Sequence, residues 1–333
     1  MTDKQKVLVL GATGGIGGEV ARQLRDAGWE VRALKRGATQ AVEQKDGITW
    51  LHGDAMNGRD VTSAAAGCAV IVHAVNPPGY RGWSELVLPM LDNSIAAAKA
   101  NRATIVLPGT VYNFGSDAFP LLAETSPQQP VTRKGAIRVE MERRLLAASH
   151  DGARVLIVRA GDFFGAKAAN SWFSQGLVKP GKPVKTISQP GRPGVGHQWA
   201  YLPDVARTML ALLERRATLA AFASFHMGGH WDADGSQMAA AIQRVVARRT
   251  GVAPRIAAFP WRLLMLASPF VTTLREMREM RYLWQVSVQL DGARLKAVLG
   301  AEPHTPLDVA VEATLTGLGC LAGASPRWSV ATS

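Results

Sequence analysis

Apolar positions along the chain fall into short, almost unbroken runs separated by longer stretches in which they recur every three or four residues. The runs are KVLVL (Lys6–Leu10), EVRAL (Glu30–Leu34), ITWLH (Ile48–His52), AVIVHAV (Ala69–Val75), TIVLP (Thr104–Pro108), RVLIVRA (Arg154–Ala160) and FASFHM (Phe222–Met227). Their near-continuous hydrophobicity is the mark of strands buried on both faces, and the segments between them carry the helical period. Gly18–Ala27, Ser84–Ala100 and Lys134–Ser149 supply such crossovers. Alternation of this kind predicts an α/β fold: a doubly wound, mostly parallel sheet of about seven strands with right-handed crossovers.

After Gly161 the pattern changes. KPGKPVKTISQPGRPGVGH (Lys179–His197) concentrates Gly and Pro over a span too long for an ordinary connection, and loops of this length often cover a site. YLPDVARTMLALLERR (Tyr201–Arg216) then reads as a helix returning to the sheet. The expected organisation is a dinucleotide-binding Rossmann domain from 1–162 plus 199–230, and a smaller C-terminal substrate lobe from 163–198 plus 231–333, with no clean boundary between them.

A chain of 333 residues that is 47% hydrophobic has material for both cores. Cys68 and Cys320 lie far apart in apolar surroundings, which suits buried reduced thiols and a cytoplasmic setting. MTDKQK leads straight into the first strand without the features of an export signal. The longest apolar tract, WRLLMLASPFVTTL (Trp261–Leu274), contains Arg262 and Pro269 and falls short of the ~20 residues a spanning helix requires, so it is expected to pack within the lobe and not in a membrane. The net charge of +12 comes from scattered groups such as LERR, ARR and REMREMR, with no nucleic-acid recognition element. The positive field instead favours small phosphorylated or carboxylated partners. Homodimerisation is left open.

Chemistry first enters at VLVLGATGGIGGEV (Val7–Val20). Gly11, Gly14 and Gly17 form G-x-x-G-x-x-G between a predicted strand and helix, with Gly15 adding room and Thr13 and Ile16 filling the loop. A phosphate there meets backbone N–H groups at a helix N-terminus with no Cβ in the way. The spacing resembles that of the short-chain dehydrogenases/reductases, and the resemblance implies further cofactor contacts. Lys35 and Arg36 close the second strand where NAD-specific relatives carry an acid for the ribose 2′-hydroxyl. Two cations welcome a 2′-phosphate, so NADP is expected in preference to NAD, with Arg36 the main contact. Asp54 stands where the family's aspartate meets the adenine amino group, although it also suits a turn. Ala74 and Val75 stand where the family's backbone passes the cofactor. His73 reads as a core residue, and the glycines of HMGGHW argue against His226 and His230 as a metal pair; no metal is expected.

For catalysis the family uses a Ser or Thr after its fifth strand, followed by Tyr-x-x-x-Lys on the next helix. Thr110 in LPGTVYNFG fits the hydroxyl role. The tyrosine and lysine pair is absent: alignment on Glu142 puts Lys134 in the tyrosine's place and Arg138 in the lysine's. K-x-x-I-R-x-x-x-E (Lys134, Ile137, Arg138, Glu142) resembles instead the catalytic helix of isoflavone-reductase-like members, in which the lysine is the acid/base group. Spacing of i, i+4 and i+8 puts the three charges on one helix face, where Arg138 should disfavour the charged lysine. Tyr112, two residues beyond Thr110 on what is expected to be extended chain, is a substitute acid. RAGDFFG, WAYLPDVA and LDGARLKAVLGAEPHTPLDVAV resemble the C-terminal lobe of extended epimerase/dehydratase-like members. The leading expectation is an NADP(H)-dependent oxidoreductase acting on a carbonyl or activated double bond of a small molecule. A nucleotide-sugar epimerase/dehydratase and a non-catalytic NAD(P) sensor are the alternatives. The substrate pocket is expected between Tyr112, Lys134, Phe163 and the loop from Trp172 to His197.

Overall fold

The computed structural model describes residues 4–37, 40–77, 82–168, 171–268 and 272–321. Its strands are β1 (Lys6–Leu10), β2 (Glu30–Lys35), β3 (Val42–Lys45), β4 (Ile48–His52), β5 (Val70–His73), β6 (Thr104–Gly109), β7 (Leu121–Leu122), β8 (Arg154–Arg159), β9 (Asp162–Phe164), β10 (Thr186–Gln189), β11 (His197–Tyr201), β12 (Phe222–His226), β13 (His230–Asp232), β14 (Arg255–Ala258) and β15 (Gln289–Leu290). The helices are α1 (Gly15–Asp26), α2 (Gly58–Ala64), α3 (Trp83–Asn101), α4 (Arg133–His150), α5 (Leu202–Glu214), α6 (Gln237–Thr250), α7 (Trp261–Ala267), α8 (Thr272–Glu279), α9 (Ala293–Leu299) and α10 (Leu307–Gly317).

The main sheet runs β12-β8-β6-β5-β1-β2-β4-β3. The seven apolar runs form its parallel strands, and the eighth, β3, pairs antiparallel with β4 at the edge. β3 escaped the sequence reading because VEQK is polar, mostly exposed and paired on one side only. The order reverses at β1, with β2 on one side and β5 on the other, which places a crevice above the C-terminal ends of these strands. One face of the sheet packs on α1 and α5 through Val20, Leu24, Val205, Met209 and Leu212. The other packs on α2, α3 and α4 through Val61, Leu91, Met141 and Leu145.

A third cluster lies at the crevice end. Phe114, Phe164, Phe173, Trp172, Trp199, Ile242, Trp284 and Val311 belong to it, so it gathers the chain after β6, the long loop, α6 and the C-terminal segment. Two-stranded pairings of β7 with β15 and of β10 with β14 tie distant segments together there, and β9, β11 and β13 form a separate three-stranded sheet. Of the Trp261–Leu274 tract, Trp261 packs against this cluster and Leu264 is buried, while Leu266 is 74% exposed; its Pro269 lies outside the described residues. Among the described residues no helix is long and apolar enough to cross a membrane. Cys68 and Cys320 are both buried and free.

Candidate functional site

At the reversal point the chain passes from β1 into α1 through the glycine loop. The Gly14 N–H donates to the Gly11 carbonyl at 2.9 Å, and the Gly18 N–H to Gly14 at 2.9 Å, so the amides of Gly15, Ile16 and Gly17 lie ahead of the first intrahelical donor. A Cβ on Gly17 would stand 2.3 Å from the Gly11 oxygen, and one on Gly11 would stand 2.5 Å from the Ala74 oxygen and 2.7 Å from the Val75 nitrogen. Gly11 also has φ +86°, which favours glycine. Both glycines are therefore demanded by packing. Gly14 differs: it is exposed, has ordinary extended φ and ψ, and an added Cβ would meet only the Gly11 oxygen at 3.3 Å. A bare N-cap with no side-chain cap and open space above it is the shape a pyrophosphate requires, so the residues present fit a dinucleotide.

The other expected cofactor residues surround this loop. Ala74 and Val75 touch it directly, and Thr13 is exposed on it. Lys35 ends β2 and Arg36 follows in a turn; both are exposed, and among the described residues neither side chain has a hydrogen bond or ion pair. The Asp54 carboxylate accepts the Met56 N–H at 3.0 Å while the Asp54 N–H donates to Asp60 at 2.9 Å, so its side chain shapes the turn after β4.

The expected catalytic residues converge only in part. β6 ends at Gly109, and the chain turns over residues 111–113, with the Phe114 N–H donating to the Val111 carbonyl. Thr110 and Tyr112 therefore do not share the face of an extended strand. Instead the Tyr112 N–H donates to the Thr110 hydroxyl at 3.2 Å, and the Tyr112 ring packs against the crevice-end cluster. This turn abuts the first turn of α4: a Cβ on Gly135 would lie 2.2 Å from the Tyr112 carbonyl oxygen. α4 starts from Thr132, whose hydroxyl accepts the Gly135 N–H at 3.0 Å.

Lys134 is buried, and its ammonium lies 3.7 Å from a carboxylate oxygen of Glu279 at the end of α8. The same carboxylate accepts the Arg133 N–H at 2.8 Å and the Lys134 N–H at 3.5 Å, ending α4's first turn as a cap supplied from far along the chain. Arg138 lies one helical turn beyond Lys134 on α4. It reaches the Pro108 carbonyl at 3.5 Å and lies over the Trp83 ring at 5.2 Å. Glu142 turns away into the sheet, where it forms a buried ion pair with Arg159 and accepts from Gln128 at 2.8 Å. Arg159 donates on to Ser224 at 2.7 Å and meets His226 at 3.0 Å. Glu279 is the residue that sequence reasoning missed; it lies in REMREMR, which reads only as a basic helix face.

Two cavities open at the crevice end. One, of about 500 Å³, is walled by Val131, Thr132 and Arg133 at the start of α4 and by Arg275, Arg278, Glu279 and Tyr282. The other, of about 240 Å³, lies between the loop Gln189–Pro193, Phe259, Trp261 and Trp284. The expected loop thus contributes a wall, but neither cavity is lined by Tyr112, and Phe163 packs into the sheet core. Among the described residues no cluster of three His, Cys, Asp or Glu side chains has metal-holding geometry. His226 accepts from the Arg159 guanidinium at Nε2 and donates from Nδ1 to the Leu122 carbonyl, and His230 lies against His304.

Fold and loop together define the class: a Rossmann-type α/β chain whose N-terminal part is an NAD(P)-binding domain. Residues 11–163 match the family model described as NAD(P)H-binding, so the segment from the glycine loop to β9 is a domain of that kind. The Bordetella bronchiseptica enzyme WbmH, in complex with NAD+, shares the fold with a TM-score of 0.66 at 18% identity over 95% of this chain and 98% of that one. The Bacillus cereus UDP-glucuronic acid 4-epimerase in complex with NAD gives 0.68 at 16% identity over 94% and 98%. MoeE5 in complex with UDP-glucuronic acid and NAD gives 0.68 at 17% identity over 94% and 98%. No curated protein sequence matches the chain.

Burial dominates the histidines around the site. His73, whose Nδ1 is 2.8 Å from the Ser94 hydroxyl, is held down to about 3 by burial and then by the Arg138 charge. His226 is held down to about 4 by burial and then by Arg159. Both are neutral in the fold and become protonated in the unfolded chain below about pH 6.5, so their contribution is present above that pH and lost as pH falls toward 4 and then 3. Urea unfolding should show stability falling between pH 6.5 and 4 by on the order of a few kcal/mol. A His73→Gln variant, with one titrating ring fewer, should show a shallower fall; an unchanged slope would rule His73 out as a source.

Proposed function

We propose that the chain is an NADP(H)-dependent oxidoreductase that moves hydride to or from a carbonyl, or an activated double bond, of a small organic substrate. The observation that carries the reading is the buried Lys134 at the start of α4, a helix turn that packs on the Thr110–Tyr112 segment through Gly135; alignment with the resembled family puts this lysine in the tyrosine's place. The substrate lobe is assigned to 163–198 plus 231–333, above the Rossmann part formed by 1–162 plus 199–230.

In this account Gly11, Thr13, Gly14, Gly15, Ile16 and Gly17 hold the pyrophosphate, and Ala74 and Val75 wall the dinucleotide. Lys35 and Arg36 meet the 2′-phosphate, with Asp54 near the adenine. The nicotinamide, when bound, supplies the hydride. Lys134 supplies or accepts the proton at its Nζ, with Glu279 fixing the position of the ammonium. Thr110 orients the substrate oxygen, and Tyr112 is the alternative proton donor. Burial of Lys134 keeps bulk water from competing for the proton.

Epimerisation or dehydration of a nucleotide sugar on a retained cofactor is the second reading. It is favoured by the whole-chain likeness to WbmH, MoeE5 and the B. cereus epimerase, two of which carry NAD and one NAD with UDP-glucuronic acid. It is opposed by the missing Tyr-x-x-x-Lys pair and by two cations at the end of β2. Cofactor that stays with the protein through purification would favour it.

NADPH should bind more tightly than NADH, and Arg36→Ala should erase most of the difference. A charge-assisted phosphate contact contributes ~1.5–3 kcal/mol, about ten- to a hundredfold in affinity. Nicotinamide fluorescence titrations measure both, and equal affinities in the unmutated protein contradict the assignment of Lys35 and Arg36.

Lys134→Met keeps a methylene stem of similar bulk and removes the amine. Turnover in a carbonyl-substrate panel should fall by about 10²–10⁴ while NADPH affinity holds within about threefold. If affinity weakens in step with rate, Lys134 binds cofactor and is not the proton carrier. If both are unchanged, the role passes to Tyr112, and Tyr112→Phe becomes the decisive variant.

A further inference from the structure

The cavity of about 240 Å³, between the loop Gln189–Pro193 and the start of α7, is walled by aromatic rings that the fold leaves partly uncovered. Trp172, Trp199 and Trp284 of the crevice-end cluster are buried. Phe259 and Trp261 pack against the same cluster but stay half-buried, and both line the cavity together with Trp284. Aromatic surface left in a concave space is apolar area not yet removed from water, so a ligand that covers it completes the burial.

The walls are fixed before any ligand arrives. Trp261 donates its indole N–H to the Pro190 carbonyl at 2.8 Å, and the Phe259 N–H donates to the Gln189 carbonyl at 2.9 Å, which binds α7 and the end of β14 to the loop. Trp172 meets Trp284, Trp261 and Phe259 at centroid distances of 5.2, 5.9 and 6.1 Å and holds the three as one set. His197 lies flat on Trp284 at 3.7 Å, with the planes 8° apart. Side chains already held in place spare a ligand the cost of ordering them.

Ring shape is what such walls read. The Trp261 indole N–H is committed to Pro190, so that wall offers a ligand its π-face and not a hydrogen bond. Phe259 and Trp261 stand 4.9 Å apart at 58°, and the Arg281 guanidinium lies over the Trp261 ring at 5.3 Å. An apolar cavity of roughly 150 Å³ holds one benzene ring, so about 240 Å³ takes one or two fused rings. Arg281 and Trp284 belong to the 3₁₀ turn Met280–Trp284, which continues directly from Glu279, the residue that meets Lys134. Such a turn advances ~2 Å per residue, so its far end stands on the order of 10 Å from Glu279 along the turn axis.

We propose that this cavity binds a flat, apolar system of one or two fused rings, covered by Phe259, Trp261 and Trp284, and that these rings are the body of the substrate whose reacting carbon is presented toward Lys134. The binding stands on the cavity alone, whereas its assignment to the substrate rests on the oxidoreductase reading. Together they narrow the substrate class to aryl carbonyl compounds and their alcohols.

The test is calorimetric titration of the full-length protein, without cofactor, with naphthol and, separately, with adamantanol, a compact apolar alcohol that is not flat. Naphthol should bind saturably with a negative heat-capacity change, and adamantanol at least about tenfold more weakly. Trp261→Leu should weaken naphthol binding by about fivefold or more, whereas Trp29→Leu, just before β2 at the N-terminal end of the sheet, should alter it by less than about twofold. If Trp261→Leu does not fold by circular dichroism, Phe259→Leu should cost about threefold or more. Absence of saturable naphthol binding, equal binding of the two alcohols, or binding that the wall variants leave intact overturns the proposal. So does uridine diphosphate binding more tightly than naphthol and weakened by Trp261→Leu, since the cavity then takes a nucleotide.

The substrate half is read separately, by NADPH turnover. Acetonaphthone should exceed butanone in kcat/KM by about tenfold or more, and Trp261→Leu should remove that preference through KM while kcat holds within about threefold. A preference that survives the variant contradicts the substrate role. Turnover of neither ketone marks failure of the oxidoreductase reading, and the calorimetry still decides the cavity.

Discussion

Between β1 and α1 the backbone folds back on itself so closely that no Cβ fits at Gly11 or Gly17, and every other part of the site is placed relative to that contact. Gly11 packs against the backbone of Ala74 and Val75 just beyond β5, which sets the floor of the crevice. Gly15 approaches the Lys167 oxygen and the Leu202 side chain, which seats the start of α5 against the loop. The sheet order reverses at this same strand. One local constraint on side-chain size thus fixes the helix N-terminus, the crevice and the neighbouring loops together.

The second anchor is electrostatic and buried. Arg159 at the end of β8 and Glu142 on α4 are almost wholly removed from water, and their pairing is completed by Gln128, Ser224 and His226. Removing one partner of such a pair costs ~3–5 kcal/mol, because the other charge is left uncompensated. The pair orients α4, and α4 in turn delivers Lys134 to the crevice. Its N-terminus is held by Thr132 from within and Glu279 from α8, so two distant segments of the chain meet at the lysine.

Most of the sheet was legible because its parallel strands are buried on both faces and leave unbroken apolar runs. The β3 edge strand was not, since VEQK is polar and half-exposed. The glycine loop was legible for a similar reason: backbone packing tolerates one residue type at Gly11 and Gly17. The candidate catalytic end was less so. Periodicity correctly put Lys134, Arg138 and Glu142 on one helix, but it could not show that Glu142 would be drawn to Arg159 and Arg138 to Trp83. Nor could it show that β6 stops at Gly109, which separates Thr110 from Tyr112. Glu279 and Tyr282 lie about 145 residues from α4 in sequence, and no local pattern predicts a contact at that range. Charge alternation in REMREMR conceals Glu279, the acid that meets Lys134.

Gly14 separates what the fold requires of the loop from what a ligand requires. Its φ of −87° and ψ of 175° are open to any residue, and an added Cβ meets only one backbone oxygen, at 3.3 Å. That contact is tight but far looser than those at Gly11 and Gly17, so Gly14 is the glycine at which the proposed pyrophosphate contact is most directly tested. The most direct measurement is therefore NADPH affinity, by fluorescence titration, in the unmutated protein and in Gly14→Ala. The account predicts that the variant keeps its thermal midpoint within ~4 °C and loses about tenfold or more in affinity. Unchanged NADPH affinity in Gly14→Ala, or no binding by the unmutated protein, would contradict it.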